Sequence, residues 1–304
     1  MYKGIAAGLG AGALWGLVFI APRITPGLSS VDLMAGRYLS YGVVSAVFIL
    51  LTLRTRKLPT LNQALAAVGL SILGNTGYYL LLALAIQDTG TEVPTLIIGL
   101  IPIWMMLLGK PIGLKWGTLM PGLLLTLGGL GLMMWTQTTG QLSGTAANLA
   151  PPGHQYWQGV AFAVTAMVLW TAFGLLNSAW LKRHTDINAT DWANWLGVAT
   201  GVGAVGLWFF TGSASKELLV LENRAFLATI CIATGIGSAW VATILWNIAS
   251  QRLSASLCGQ LIVSETLFAL LYSYAWDAQW PSLLQLMACV LFVMGILASI
   301  RAHR

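Results

Sequence analysis

Charge is what this chain has least of. Lys, Arg, Asp and Glu make up 8% of its 304 residues, against about 25% in soluble domains, and no formal charge falls between Lys115 and Lys182. A soluble domain of this length cannot dispense with surface charge on that scale, so a soluble fold is excluded. The net charge of +6 comes from basic residues scattered at the ends of apolar segments. It forms no patch for nucleic acid, and none is expected as a partner. Histidine is equally sparse: His154, His184 and His303 lie outside the apolar segments. With them no nucleophile–base constellation can be assembled, and neither catalytic residues nor a metal site is expected. Cys231, Cys258 and Cys289 sit inside apolar stretches without metal-ligand spacing and read as small buried hydrophobes. There is no phosphate-binding glycine loop and no room for a nucleotide domain, so no cofactor is expected and ATP-driven transport is unsupported. Lys3 runs straight into an apolar segment with no processing site, so no cleaved signal peptide is expected.

What the chain has instead is apolar length. Hydrophobic residues are 57% of the sequence, and they fall into segments at about 4–21, 33–53, 62–85, 93–109, 117–135, 157–180, 192–210, 226–248, 255–274 and 281–300. Each is near the roughly 20 residues that span a bilayer, and none alternates as a barrel strand would. The expected fold is an all-α polytopic membrane protein of ten transmembrane helices. The longest polar stretch, 136–155, carries no charge, contains Pro151 and Pro152, and reads as a loop. It divides the chain into a first half, 1–135, and a second half, 156–304, of five spans each.

Lys and Arg placement sets the orientation. With the N-terminus inside, the cytoplasmic side receives Lys3, Arg54, Arg56, Lys57, Lys110, Lys115, Lys182, Arg183, Arg252, Arg301 and Arg304, and the outer side only Arg23, Lys216 and Arg224. Both termini are therefore expected in the cytoplasm and the linker outside. Five spans is an odd number, so a second half built like the first is inverted relative to it, a recurring transporter plan. Leu14-Trp15-Gly16 against Leu169-Trp170-Thr171, and Gly74-Asn75 against Gly237-Ser238, occur in matching order. Pro102 and Glu265 share the offset of Gly74 and Gly237.

Few polar groups lie within the spans. Glu265, in the middle of segment nine among Leu261, Leu267 and Phe268, must face protein or water. It is either a coupling residue or a structural hydrogen-bond partner. Gln260 and Ser264 are an i,i+4 pair on an adjacent face and could line a polar path. Asn75 in segment three is followed one turn later by Tyr78 and Tyr79. With Trp15, Trp170 and Trp240 these suggest a cavity with aromatic walls and a few amide and hydroxyl groups, suited to apolar or aromatic organic solutes. Arg37 either snorkels outward or stands at the outer mouth, where it meets a substrate carboxylate. Pro94 and Pro102 are candidate bends in segment four. Gly4, Gly8, Gly12 and Gly16 form a small-residue ladder for close helix approach, and Gly197 with Gly201 and Gly113 with Gly117 read the same way. Trp116, Trp135, Trp157, Trp192, Trp276 and Trp280, at segment ends, read as interfacial anchors.

Gly12-Ala13-Leu14-Trp15-Gly16, Gly237-Ser238-Ala239-Trp240, Ser264-Glu265 and Gly128-Gly129 together resemble the drug/metabolite transporter superfamily, of the type built from two EamA domains. The chain departs from that family at Gly109-Lys110, where a glycine–glutamate pair is usual, and at Thr266, where proline often follows the glutamate. Its Trp-rich ten-span layout looks most like the YddG-type exporters of aromatic and other neutral amino acids. That resemblance implies a monomer in the bacterial inner membrane, a central cavity open alternately to either side, and cavity roles for Trp15, Tyr78, Tyr79, Trp170 and Trp240. An exporter of drugs or lipophilic cations, proton-coupled or not, is the alternative. A nucleotide-sugar carrier is disfavoured because Arg37 is the one cation well inside a span, and a non-transporting scaffold would leave Glu265, Asn75 and Gln260 without a task.

Overall fold

The computed structural model describes residues 1–25, 28–56, 58–90, 92–142, 154–213, 223–278 and 280–304. The chain is helical throughout its described spans, in this order: α1 (Tyr2–Gly16), α2 (Ala21–Ile24), α3 (Ser30–Thr52), α4 (Leu61–Ser71), α5 (Gly77–Thr89), α6 (Glu92–Ile98), α7 (Ile101–Leu108), α8 (Trp116–Leu142), α9 (His154–Arg183), α10 (Ala189–Thr211), α11 (Arg224–Thr234), α12 (Ala242–Arg252), α13 (Ala255–Asp277) and α14 (Leu283–Ala302). Two pairs are single rods joined by a π-helical turn, α4 to α5 through Ile72–Thr76 and α11 to α12 through Gly235–Val241. In a hydrocarbon solvent every backbone N–H must find its carbonyl within the segment, which leaves helices as the only spanning form for such a sequence.

Among the described residues nine helices are long and apolar enough to cross a membrane. The tenth expected span differs. Val93–Leu108 is shorter and is broken at Gly99-Leu100 into α6 and α7. Pro102 therefore stands in the first turn of a new helix, where its missing N–H costs nothing, and Pro94 stands near the start of α6. The expected linker is also shorter than its composition suggests. α8 runs on through Leu142 and α9 begins at His154, because uncharged Thr and Gln continue a helix once it is under way. The rest of that linker, 143–153, lies outside the described residues, as do Lys57 and Lys216.

Side-chain caps fix where helices start. Ser29 accepts from the Asp32 amide at 3.1 Å, and Asn188 from the Asp191 amide at 2.8 Å. Thr60 with Gln63, and Ser282 with Gln285, form reciprocal capping boxes, each satisfying two otherwise orphaned donors. At the other end of a rod, α5 stops at Gly90, whose φ of +77° is a conformation that L side chains rarely adopt.

The helices pair across the two halves. α3 lies along α10, α8 along α14, α5 on α9, and α1 on both α12 and α13. Small residues set the closest approaches. A Cβ at Gly42 would come within 2.7 Å of the Gly201 Cα, so α3 and α10 cross almost backbone to backbone. A Cβ at Gly8 would meet Leu261, one at Gly12 would fall on the Ser264 hydroxyl, and one at Gly16 would meet the Ala269 amide. Gly8, Gly12 and Gly16 are thus the seat of α13, while Gly4 lies against Arg252 and Leu253 at the end of α12. Gly113 and Gly117 do not share this role. Nothing lies within 4 Å of a Cβ at either, since both sit where the chain enters α8 at its exposed end.

Polar pins back up these contacts. Asn177 donates to the Asn247 amide oxygen at 3.1 Å and accepts from Trp192 Nε1 at 2.7 Å. Trp192 is consequently fully buried and is no interfacial anchor. Its indole N–H has an amide to meet inside the bundle, and its ring stacks on Trp180 at 5.6 Å. Trp116, Trp135, Trp157, Trp276 and Trp280 stay exposed at span ends.

Two glycine substitutions should separate packing from propensity. Gly12→Leu forces α1 off α13 and should cost about 1–3 kcal/mol. Gly69→Ala, at a position with open space around it inside α4, should gain about 0.5–1 kcal/mol. Thermal unfolding of both variants in one detergent checks the opposite signs.

Candidate functional site

The seat of α1 on α13 places Glu265 in the middle of the bundle. Its neighbours along α13 are Ser264, buried under Gly12 with its hydroxyl donating back to the Leu261 carbonyl at 2.6 Å, and Gln260. Gln260 is fully buried: its Nε2 donates to the Thr126 hydroxyl at 2.8 Å and its Oε1 accepts from Ser299 at 3.1 Å. These two expected cavity residues are therefore taken up in joining α13 to α1, α8 and α14. Glu265 itself keeps part of its surface accessible.

Arg37, on α3, lies within electrostatic reach of Glu265. The two act on one another without forming an ion pair; among the described residues the ion pairs are Arg23–Asp277 and Arg56–Asp191. Arg37 is 9% exposed, so it is not a snorkelling side chain at the surface. Its guanidinium lies 5.2 Å from the Tyr38 ring centre, and its Nε has no hydrogen-bond partner. Tyr78 lies within the electrostatic reach of Glu265, Arg37, Tyr38 and Tyr79, and Tyr79 packs edge-on against Tyr38 at 6.5 Å. One acid, one base and three phenols thus come together from α3, α5 and α13.

Three residues after Gly12, on the helix seated against α13, stands Trp15. It meets Trp170 of α9 at 6.3 Å and Trp246 of α12 at 5.4 Å, while Trp170 and Trp246 are 6.0 Å apart. Phe173 extends the group from Trp170 at 5.9 Å. Trp15 and Trp170 are half-buried and Trp246 is buried. The Trp246 indole N–H and the Thr171 hydroxyl, next to Trp170, have no partner. Unpartnered buried donors are rare in folded proteins and need a reason; a polar ligand is one.

Two expected site residues stand apart from this centre. Asn75 lies in the π-helical turn and donates to Thr200 on α10 at 3.2 Å, where Ser71 and Thr200 also share a 2.8 Å bond. The π-turn adds a residue to the rod, so the spacing from Asn75 to Tyr78 and Tyr79 no longer follows an α-helical wheel. Trp240, in the second π-turn, donates to Asn194 at 2.7 Å and packs on Phe48 at 5.6 Å. Sequence reasoning missed Tyr38 and Trp246. Tyr38 was legible as the neighbour of Arg37, and Trp246 as a tryptophan one residue from Asn247 and well inside segment eight. Asp32 was missed too: it is 5% exposed and accepts from the Ser213 amide at 3.0 Å and the Ser213 hydroxyl at 2.6 Å, tying the start of α3 to the end of α10. Among the described residues no three His, Cys, Asp or Glu gather.

A pair of isosteric changes tests which polar groups are occupied. Thr126→Val strips Gln260 of a buried partner and should cost about 1–3 kcal/mol, whereas Thr171→Val removes an unpartnered hydroxyl and should leave stability unchanged or raise it. Denaturant titration in micelles reads both.

Comparison with known proteins gives three likenesses. Residues 2–137 match the model of the EamA-like transporter family. Over 99% of its length the chain is 32% identical to the inner membrane protein YtfF of Escherichia coli (strain K12), covering 96% of that protein. A crystal structure of another protein superposes on 100% of this chain and 99% of its own with a TM-score of 0.73 at 18% identity, a likeness of fold alone.

Proposed function

We propose, from the premise that the chain belongs to the EamA-like transporter family, that it is a secondary transporter exporting neutral amino acids with aromatic or other apolar side chains. Its membership is that of a transporter and not of an enzyme, and like its Escherichia coli relative it is a multi-pass protein of the bacterial inner membrane. The observation that carries the substrate reading is the separation of Arg37 and Glu265: opposite charges close enough to act on each other, yet unpaired. A zwitterion fits between such groups, its carboxylate toward Arg37 and its ammonium toward Glu265. Each contact replaces hydration with a charge-assisted hydrogen bond. The indoles of Trp15, Trp170 and Trp246 then offer an apolar wall for the side chain, and the unpartnered Trp246 and Thr171 donors offer polar contacts. Tyr78 and Tyr79 complete the proposed lining from the first π-turned rod, while Asn75 and Trp240 hold α10 against the two rods. Ser264 and Gln260 act behind it, by holding α13 in place.

Alternating access follows from an inverted five-plus-five architecture, which is part of the proposal. Two features support it. Both halves carry a π-turn in their third span, starting at Ile72 and Gly235. The helix pairing is also unchanged when the halves are exchanged: α3 with α10 and α8 with α14 map onto themselves, and α5 on α9 maps onto α12 on α1. On this reading α6 and α7 together are the tenth span, counterpart of α13, with the break at Gly99-Leu100 rather than a proline kink as its hinge. The protein works as a monomer, with both termini in the cytoplasm and the linker outside.

Transport by purified protein in liposomes tests the substrate. Efflux of labelled phenylalanine, tryptophan and leucine is expected, with Glu265→Gln and Arg37→Gln each lowering it about tenfold or more. Liposomes that move lipophilic cations and no neutral amino acid would overturn the reading in favour of a drug exporter. For topology, single cysteines at positions 3 and 304 should react with an impermeant maleimide in inverted vesicles and stay unlabelled in intact cells.

A further inference from the structure

Away from this centre, the fold gathers positive charge at one end of the bundle. α1 begins there with Tyr2, Lys3 and Gly4, and α12 and α14 end there. A Cβ at Gly4 would come within 2.9 Å of the Arg252 Cβ, so the last turn of α12 lies directly on the first turn of α1. The Arg304 guanidinium lies 5.7 Å over the Tyr2 ring, and Arg301 stands one turn earlier in α14. Four cations, three of them distant in sequence from the fourth, thus surround the start of α1.

These charges are not neutralised within the chain. Lys3, Arg252, Arg301 and Arg304 are exposed, and the ion pairs among the described residues lie elsewhere, at Arg23–Asp277 and Arg56–Asp191. Asp186 is an acid at the same end, next to Ile187, whose carbonyl accepts from Gln251 at 3.0 Å; it forms no ion pair among the described residues. Cations held together repel one another, and a shared anion relieves that repulsion.

The surface leading away from Arg301 says which anion fits. Val290, Met294, Leu297 and Arg301 are spaced by four, three and four residues and therefore lie on one face of α14. The three apolar members are 56%, 49% and 53% exposed. Ala288, Phe292 and Ser299, on the other face, lie against Gly129 and Gly122 of α8, so the row points out of the bundle and meets hydrocarbon in a membrane. From Val290 to Arg301 is about 16 Å at 1.5 Å per residue, close to half of the roughly 30 Å hydrocarbon core. An acyl chain one leaflet deep matches this row when its phosphate is at Arg301, whereas free phosphate gains nothing from it. Tyr2, 71% exposed, belongs to a residue type that favours headgroup depth. We propose that Lys3, Arg252 and Arg301, with Arg304 beside them, hold the headgroup of an anionic phospholipid whose chain runs along α14. The site does not depend on the identity of the transported solute.

Native mass spectrometry of the purified full-length protein, washed free of lipid and titrated with phosphatidylglycerol, tests the proposal. Lys3→Gln and Arg301→Gln should each weaken binding about fivefold, and the double variant about 25-fold. Arg54→Gln, at an equally exposed arginine just past α3, whose main partner is α10, should leave binding unchanged. Phosphatidylcholine of the same chains should bind the wild type about fivefold more weakly or worse, and excess inorganic phosphate should not displace phosphatidylglycerol. An equal loss in Arg54→Gln and Arg301→Gln would mean a diffuse attraction to the whole basic end and overturns the site. Equal binding of the two lipids, or displacement by inorganic phosphate, overturns it as well. All three substitutions change exposed side chains, so loss of folding does not enter the comparison.

Discussion

A helix that carries a carboxyl group into the middle of a bilayer needs a neighbour that comes close without adding bulk. Here α1 supplies that neighbour. Its Gly8, Gly12 and Gly16 lie against Leu261, Ser264 and Ala269 of α13 at distances that a Cβ would violate. The contact leaves Ser264 no room to turn outward and fixes Glu265 at one rotational setting of α13. Because membrane helices gain little from hydrophobic expulsion, such close van der Waals contact is what association rests on. The setting of α13 in turn determines which of its polar groups become structural: Gln260 faces Thr126 and Ser299 and is consumed by them, while Glu265 stays within electrostatic reach of Arg37.

The polar groups within the spans therefore divide by whether their partners are complete. Asn177, Trp192 and Asn247 form a satisfied set that pins α9, α10 and α12. Thr126, Gln260 and Ser299 do the same for α8, α13 and α14. Arg37 and Trp246 keep buried donors without partners beside the Tyr38 ring and the Trp15 and Trp170 indoles; Thr171, Ser45, Trp180, Ser250 and Ser256 within the spans do so too. Each π-turn re-aims the second half of its rod.

The ion pairs stand outside this economy. Arg23–Asp277 and Arg56–Asp191 lie at opposite ends of the bundle and each joins the first half to the second. With side chains between 18% and 46% exposed, such pairs contribute little stability.

Composition and spacing alone determined that the chain is a helical membrane protein, where nearly all its spans fall, which end is basic, and that Glu265, Arg37 and the deep tryptophans are its exceptional residues. Those properties follow from local chemistry, because apolar length and charge cost are read one segment at a time. Only the tertiary structure decided which exceptional residues meet. It put Trp246 with Trp15 and Trp170, drew Trp192 inside, gave Gln260 and Ser264 to packing, and broke Val93–Leu108 into two helices. The reason is rotational. A uniformly apolar helix has no wet face to declare its orientation, and a π-turn shifts every later residue around the axis, so the facing of each side chain is set by the neighbouring helix and not by its own sequence.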